Sequence, residues 1–282
     1  MVVREKLSPL EIAFSPSCFP DDPELSPEQV VERFLKVLED SLAENRSAVA
    51  EREEDVVYAG GRCVDFWGPT TASERVFVAI HGGYWQEGDR KYFTTMVKPL
   101  VDSGITVAVI GYDLAPKVTI REQIDQVKEA VTFVLNRCPH AMVAVGGHSA
   151  GAHLAALAVS EMPKNNRLVT LVLICGVFCL NEIVDTYIGR DIQLTPDTAK
   201  KCNLDMNKLI EKFGLKKIVF LNSEFDAEKL KLQNEELEAY LRSNGAIRVE
   251  CTEIRRVDHF SIIEDLRKKE HPACQALLSA LL

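Results

Sequence analysis

No stretch of this chain approaches the roughly 18 consecutive apolar side chains of a membrane-spanning helix, so a membrane partner is not expected. The opening residues, "MVVREKLSPLEIAF", lack the apolar core and small-residue cleavage site of a secretory signal. An acid as early as Glu5 also argues against an amphipathic transit sequence. A basic surplus is missing as well: 33 Lys and Arg stand against 42 Asp and Glu, a formal net charge of −9. A nucleic-acid surface needs clustered cations, and this balance argues against one. Eight cysteines are scattered along the chain with no C-x-x-C pair. Without a secretory signal they read as free thiols of a reduced, cytoplasmic protein, not as a disulfide framework. There is no G-x-x-x-x-G-K-[ST] phosphate loop, internal repeat, low-complexity tract or interdomain linker. His148 and His153 are five apart, off the i, i+4 spacing of a helical zinc pair. Neither a metal nor a cofactor is expected.

What the chain does contain is a regular succession of apolar runs. They are "RVFVAI" (75–80), "ITVAVIGYD" (105–113), "AMVAVGG" (141–147), "LVTLVLICG" (168–176), "KIVFLN" (217–222) and "AIRVECTEI" (246–254). Most are nearly continuous in Val, Ile, Leu and Ala, as in strands of a parallel sheet covered on both faces. Between them, 121–138 places Ile124, Val127, Val131, Val134 and Leu135 on one helical face, 150–162 is apolar almost all round, and 227–245 is amphipathic and ends at Gly245. Upstream, 26–45 has helical spacing behind Ser26–Pro27, a cap and first-turn pair, and 56–69 has the glycine punctuation of a hairpin. Alternating β and α units predict one α/β domain over residues 1–282, a mostly parallel central sheet flanked by helices, with a helical N-terminal segment to about residue 50. Residues 180–213 exceed what a connection needs and read as a short cap insertion.

After the third long run comes Gly147-His148-Ser149-Ala150-Gly151, a G-x-S-x-G between a strand and a helix. That context is what a nucleophile elbow requires, and it makes Ser149 the candidate nucleophile; the bland alternative is a glycine-rich βα turn with Ser149 as a cap. A serine needs a base and an orienting acid, which in this arrangement come later in the chain. His259, in "RRVDHFSII", directly follows the last apolar run, whereas His271 sits in a charged C-terminal stretch. The acid should follow "KIVFLN"; Asp226, at the strand-to-helix junction, is favoured, with Glu224 as runner-up.

An oxyanion needs preorganised N–H donors. One should be Ala150, next to the nucleophile. The others should come from "IHGGYW", directly after "VFVAI", where Gly82 and Gly83 are free to turn their amides inward. His81 reads as a brace for that loop. Tyr84 and Trp85 are either core packing or walls of a substrate pocket.

Together, "HGGYWQEG", "GYDLAPK", "GGHSAGAHLAA" and "VDHFSIIEDL" resemble the eukaryotic kynurenine formamidases (arylformamidases), relatives of the hormone-sensitive-lipase-like esterases with the α/β-hydrolase fold. The N-terminal "AFSPSCF" (13–19) is similar to that family's Tyr-Ser-Pro-Ser segment, and the likeness runs from about residue 13 to 265. It implies cofactor-independent hydrolysis of N-formyl-L-kynurenine, an N-formylated aryl amine, in tryptophan degradation. The family's triad falls on Ser149, Asp226 and His259. Members are generally cytosolic, and homodimers occur among them. The sequence departs from the family where Cys18 and Phe19 replace the frequent Arg and Trp, where Cys179 replaces a common Asp, and across 180–213. A carboxylesterase acting on small aryl or acyl esters is the nearest alternative. A non-catalytic binding protein on the same scaffold is more distant, because such proteins typically lose the serine or the histidine.

Overall fold

The computed structural model describes residues 7–211, 215–245 and 248–282. Residues 1–6 of the expected N-terminal segment, 212–213 of the expected insertion and 246–247 of the last expected strand lie outside the described residues. Eight strands form one sheet: β1 (Arg52–Ala59), β2 (Arg62–Trp67), β3 (Arg75–Ile80), β4 (Thr106–Ile110), β5 (Met142–His148), β6 (Leu168–Ile174), β7 (Lys217–Phe225) and β8 (Arg248–Asp258). Their order across the sheet is β1-β2-β4-β3-β5-β6-β7-β8. The 56–69 hairpin is β1–β2, antiparallel within itself and to β4, whereas β4, β3, β5, β6, β7 and β8 run parallel. This is the mostly parallel sheet that the apolar runs predict, in the α/β-hydrolase arrangement that the family resemblance implies.

The helices are α1 (Pro9–Ala13), α2 (Pro27–Ala48), α3 (Val97–Val101), α4 (Ile120–Arg137), α5 (Ala150–Glu161), α6 (Tyr187–Asp191), α7 (Pro196–Cys202), α8 (Met206–Glu211), α9 (Glu228–Ser243), α10 (Ser261–Glu264) and α11 (Pro272–Leu281). Among the described residues none is long and apolar enough to cross a membrane. Helices α2 and α4 open on capping boxes, Ser26 with Gln29 and Thr119 with Glu122. Successive residues of β3 explain why the runs do not alternate. Val76, Val78 and Ile80 pack into one core with α4, α5 and α9, while Phe77 and Ala79 pack into a second core with α2, α3 and α11. Both faces are dry, so polar residues have no favourable side.

Where the chain leaves β3 for β4 on one side and then returns past it to β5 on the other, the strand ends diverge. The crevice at such a switch point is where open α/β sheets carry their ligands. The loop after β3 and the turn after β5 both open there.

Candidate active site

Ser149 stands between β5 and α5 with φ +56° and ψ −121°, backbone that a residue with a side chain rarely adopts. Strain of this kind costs on the order of 1–3 kcal/mol and persists only where the surroundings enforce it. Here the Ser149 amide donates to Ile174 O at 2.8 Å, tying the elbow to the end of β6. Gly151 lets the helix approach β3: a Cβ there would lie 2.3 Å from Ile80 O and 2.5 Å from His81 O. Both flanking small residues of the motif are therefore required by contact, and the elbow is held against the loop that carries His81. Ala150 is the first residue of α5, so its amide is among those a helix leaves without an internal acceptor.

The loop after β3 is equally constrained. Gly82 runs against the candidate nucleophile; a Cβ on it would come within 3.1 Å of Ser149 Cβ. Gly83, Tyr84 and Trp85 then take positive φ in succession, +107°, +45° and +64°. Gly83 O accepts from the amides of Gln86 and Glu87 at 3.0 and 2.9 Å. His81 is buried with its ring stacked on Tyr112 at 4.3 Å, its Nδ1–H donating to Gly82 O at 2.9 Å. Tyr112 in turn donates its hydroxyl to His81 O at 3.0 Å. Burial pulls the His81 imidazole down to about 4, so at neutral pH it braces the loop as an uncharged ring.

The two aromatics divide. Trp85 is fully buried; its indole N–H donates to His153 Nδ1 at 3.2 Å, and its carbonyl accepts from Ala115 N and Gln123 Nε2. His153 passes the connection on, donating from Nε2 to Cys202 O at the end of α7 at 2.7 Å. Tyr84 is only partly buried, and its hydroxyl donates to Phe14 O. Of the two readings that the sequence left open, core packing describes Trp85, with Tyr84 in front of it at 5.9 Å between ring centres.

Asp226 follows β7 directly. Its Oδ2 accepts from His259 Nδ1 at 2.9 Å, and its Oδ1 accepts from Ala227 N at 2.7 Å. Both residues are almost wholly buried. Glu224 is directed elsewhere: its carboxylate accepts from Arg256 N at 2.8 Å and faces Arg255, and the amide first, then the guanidinium, hold it below its ordinary range. The structure thus brings Asp226, and not Glu224, to His259. His148, immediately before Ser149, lies 4.4 Å from the His259 ring and donates from Nε2 to His259 O at 2.8 Å. Burial, and then the neighbouring His259, keep His148 well below the ordinary histidine range, so it positions His259 without competing for its proton.

The segment that carries His259 is anchored from the N-terminal part of the chain. Asp258 Oδ1 accepts from the amides of Phe260 and Ser261, and Oδ2 accepts from Arg33 Nη2 at 2.9 Å. Arg33, on α2, also meets Asp21 at 2.8 Å and Glu264 at 3.1 Å. Burial pushes the Asp258 carboxyl up, but hydrogen bonds from Ser261, Asp21 and Arg33 outweigh it and leave it below normal. Glu264 goes the other way: burial pushes it up to about 7, Asp258 and Asp21 add to this, and Arg33 opposes it. A carboxyl whose pKa rises on folding costs nothing below its unfolded value, 4.5, and progressively more as pH climbs through the folded one. Glu264→Gln is therefore expected to raise Tm at about pH 8 by a few degrees, on the order of 1–2 kcal/mol, and to do little near pH 4.5. Calorimetry of both proteins at the two pH values measures this difference.

Two further chain segments, tied to each other, adjoin the Tyr84 loop through Phe14 O. Ser15, between α1 and a short turn at Pro16–Cys18, donates to Glu11 O and sits 3.2 Å from Tyr187 Oη. The Glu11 carboxylate accepts from Tyr187 N and Arg190 Nη2, both at 2.9 Å, so the N-terminal segment is tied to α6 of the insertion. Phe19 packs on the core, and Cys179 is held by Gln233, which takes its amide at 2.9 Å and donates to its carbonyl at 2.9 Å.

Sequence reasoning passed over Arg33, His148, Cys175 and the anchoring role of Asp258. The last had a signal, since it adjoins His259. The pairing of Arg33 with it, across more than 200 residues, had none.

The sequence profile described as BD-FAE matches residues 64–253. Curated kynurenine formamidases of Salmo salar and Danio rerio are each 29% identical to this chain, over 96% of it and 95% of the relative. Among solved structures, a hyperthermophilic esterase from the archaeon Pyrobaculum calidifontis superposes with a TM-score of 0.70 at 19% identity, covering 88% of this chain and 90% of its own. That last likeness is one of fold.

Proposed function

The chain belongs to the BD-FAE family, and on that premise we propose that it is a serine hydrolase that cleaves N-formyl-L-kynurenine to formate and L-kynurenine. The observation that carries the choice of substrate is the end-to-end likeness to kynurenine formamidases, which leaves neither chain with a large unmatched part.

In this reading Ser149 attacks the formyl carbon while His259 accepts its proton. The amides of Gly82, Gly83 and Ala150 receive the developing oxyanion, and such donors, fixed before the reaction, are worth about 3–4 kcal/mol each in the transition state. Asp226 keeps the proton of His259 on Nδ1, leaving Nε2 to act, and stabilises the imidazolium once formed. His259 then protonates the departing aryl amine, and water, activated by the same histidine, releases formate from the formyl-serine. Tyr84, half-buried in front of Trp85, is assigned to the wall of the acyl pocket; a formyl group needs the least room there. A cytoplasmic enzyme, as a homodimer acting on a small molecule, belongs to the same reading.

The esterase-like fold favours one second reading, a carboxylesterase for small aryl or acyl esters, because the same machinery serves both bonds. Purified protein is expected to release formate from N-formylkynurenine with kcat/KM at least about 100-fold above that for p-nitrophenyl acetate, a preference of roughly 2.7 kcal/mol in transition-state binding. The reverse order would assign the chain to the esterases.

A further inference from the structure

Beneath the His259–Asp226 pair lies a thiol that hydrolysis does not use. Cys175 follows β6 with φ +47° and is buried, its amide donating to Leu221 O at 3.0 Å. Its sulfur, a carboxylate oxygen of Asp226 and a ring nitrogen of His259 all lie within 4.8 Å of one another. A fourth donor adjoins them: Ser223 Oγ is 3.3 Å from Cys175 Sγ and 3.4 Å from Asp226 Oδ2.

Sulfur, imidazole nitrogen and carboxylate oxygen are the ligand types of zinc. With Zn–S near 2.3 Å and Zn–N or Zn–O near 2.0–2.2 Å, tetrahedral donors stand about 3.3–3.7 Å apart. The widest separation therefore needs to close by at most about 1 Å, and the 2.9 Å between His259 Nδ1 and Asp226 Oδ2 to open by about 0.4 Å, to meet that geometry. The soft sulfur selects against magnesium and calcium, which take oxygen alone. We propose that Cys175, Asp226 and His259 form an inhibitory Zn²⁺ site.

Binding is ligand exchange without electron transfer. The Cys175 S–H bond breaks, its proton goes to solvent, and the sulfur lone pair forms the bond to zinc. Either mode of histidine ligation silences the base. Coordination through Nδ1 requires the proton to sit on Nε2, and coordination through Nε2 consumes the lone pair that would accept the Ser149 proton. In both cases Asp226 is drawn from its hydrogen bond to the metal. The inhibitory consequence rests on His259 being the base; the binding does not.

The test uses full-length protein with Co²⁺ as a spectroscopic substitute, then Zn²⁺. One equivalent of Co²⁺ is expected to give a cobalt–thiolate charge-transfer band that Zn²⁺ removes. Cys175→Ser and Cys175→Ala should lack the band, and Asp226→Asn, which keeps the thiol, should bind Co²⁺ at least about tenfold more weakly. Zinc inhibition, referred to each variant's own zinc-free rate, should weaken at least about tenfold in both Cys175 variants. Absence of the band in the wild type, its persistence in the Cys175 variants, or inhibition undiminished by them would each overturn the proposal. The band requires no turnover, so failure of the formamidase reading would leave it in place, and its loss with hydrolysis intact would remove the zinc site alone.

Discussion

Ser149→Ala is expected to abolish formate release, lowering kcat by about 10⁵-fold or more while the protein stays folded. The strained elbow is set by its surroundings: the Ser149 amide is held by Ile174 O, and the glycines on either side admit the close contacts. Alanine at φ +56° carries the same backbone cost as serine and fills nearly the same space. Thermal stability should therefore change by less than about 1 kcal/mol, and KM should remain close to that of the wild type wherever residual turnover is measurable. Stopped assays with high enzyme concentration, together with a melting curve, measure both quantities. Near wild-type formate release by the variant would sink the mechanism, and a collapsed melting curve would mean that the loss reports on folding.

Asp226→Asn should lower kcat by about ten-thousand-fold, for a reason visible in its hydrogen bonds. Asp226 Oδ1 accepts from Ala227 N while Oδ2 accepts from His259 Nδ1. An asparagine keeps its oxygen for the Ala227 amide and turns its NH₂ toward His259. The imidazole must then accept at Nδ1 and carry its proton on Nε2, the tautomer that cannot take a proton from Ser149. Glu224→Gln provides the contrast. Its carboxylate serves Arg255 and Arg256 across the β7–β8 edge, so kcat should change by less than about threefold. Steady-state kinetics of the two variants side by side distinguish the acids, and equal losses would mean that neither assignment is right.

The parallel sheet was legible because burial on both faces leaves a plain mark, runs of Val, Ile and Leu without alternation. β7 and β8 show where that mark ends. Both extend past their apolar runs, to Phe225 and Asp258, because pairing resumes beyond an irregularity: Ser223 pairs with Ile254 and Phe225 with Asp258, with Glu224, Arg255 and Arg256 between them. Ser149, Asp226 and His259 could be singled out because each follows a strand, so local sequence fixes its place. His148, Arg33 and Cys175 could not, since what matters about them is a contact with a distant segment. The insertion resolves into 5- to 7-residue helices, α6, α7 and α8, too short for a 3.6-residue period to declare itself. Trp85 illustrates a further limit: an aromatic beside two glycines looks the same in sequence whether it lines a pocket or, as here, hydrogen-bonds a buried histidine.

The ion pair between Arg33 and Asp258 joins residues 225 positions apart, and the bond from Asp21 N to the same carboxylate spans 237. A nascent chain emerging from the ribosome presents the serine at its midpoint long before the histidine exists. It then waits for the last strand to dock before α2, made ahead of every strand, finds its partner. On the proposed mechanism the growing polypeptide thus holds its nucleophile without a base. On the same mechanism the reactivity of Ser149 therefore depends on Arg33 and Asp258 meeting, because their ion pair holds the segment that carries His259.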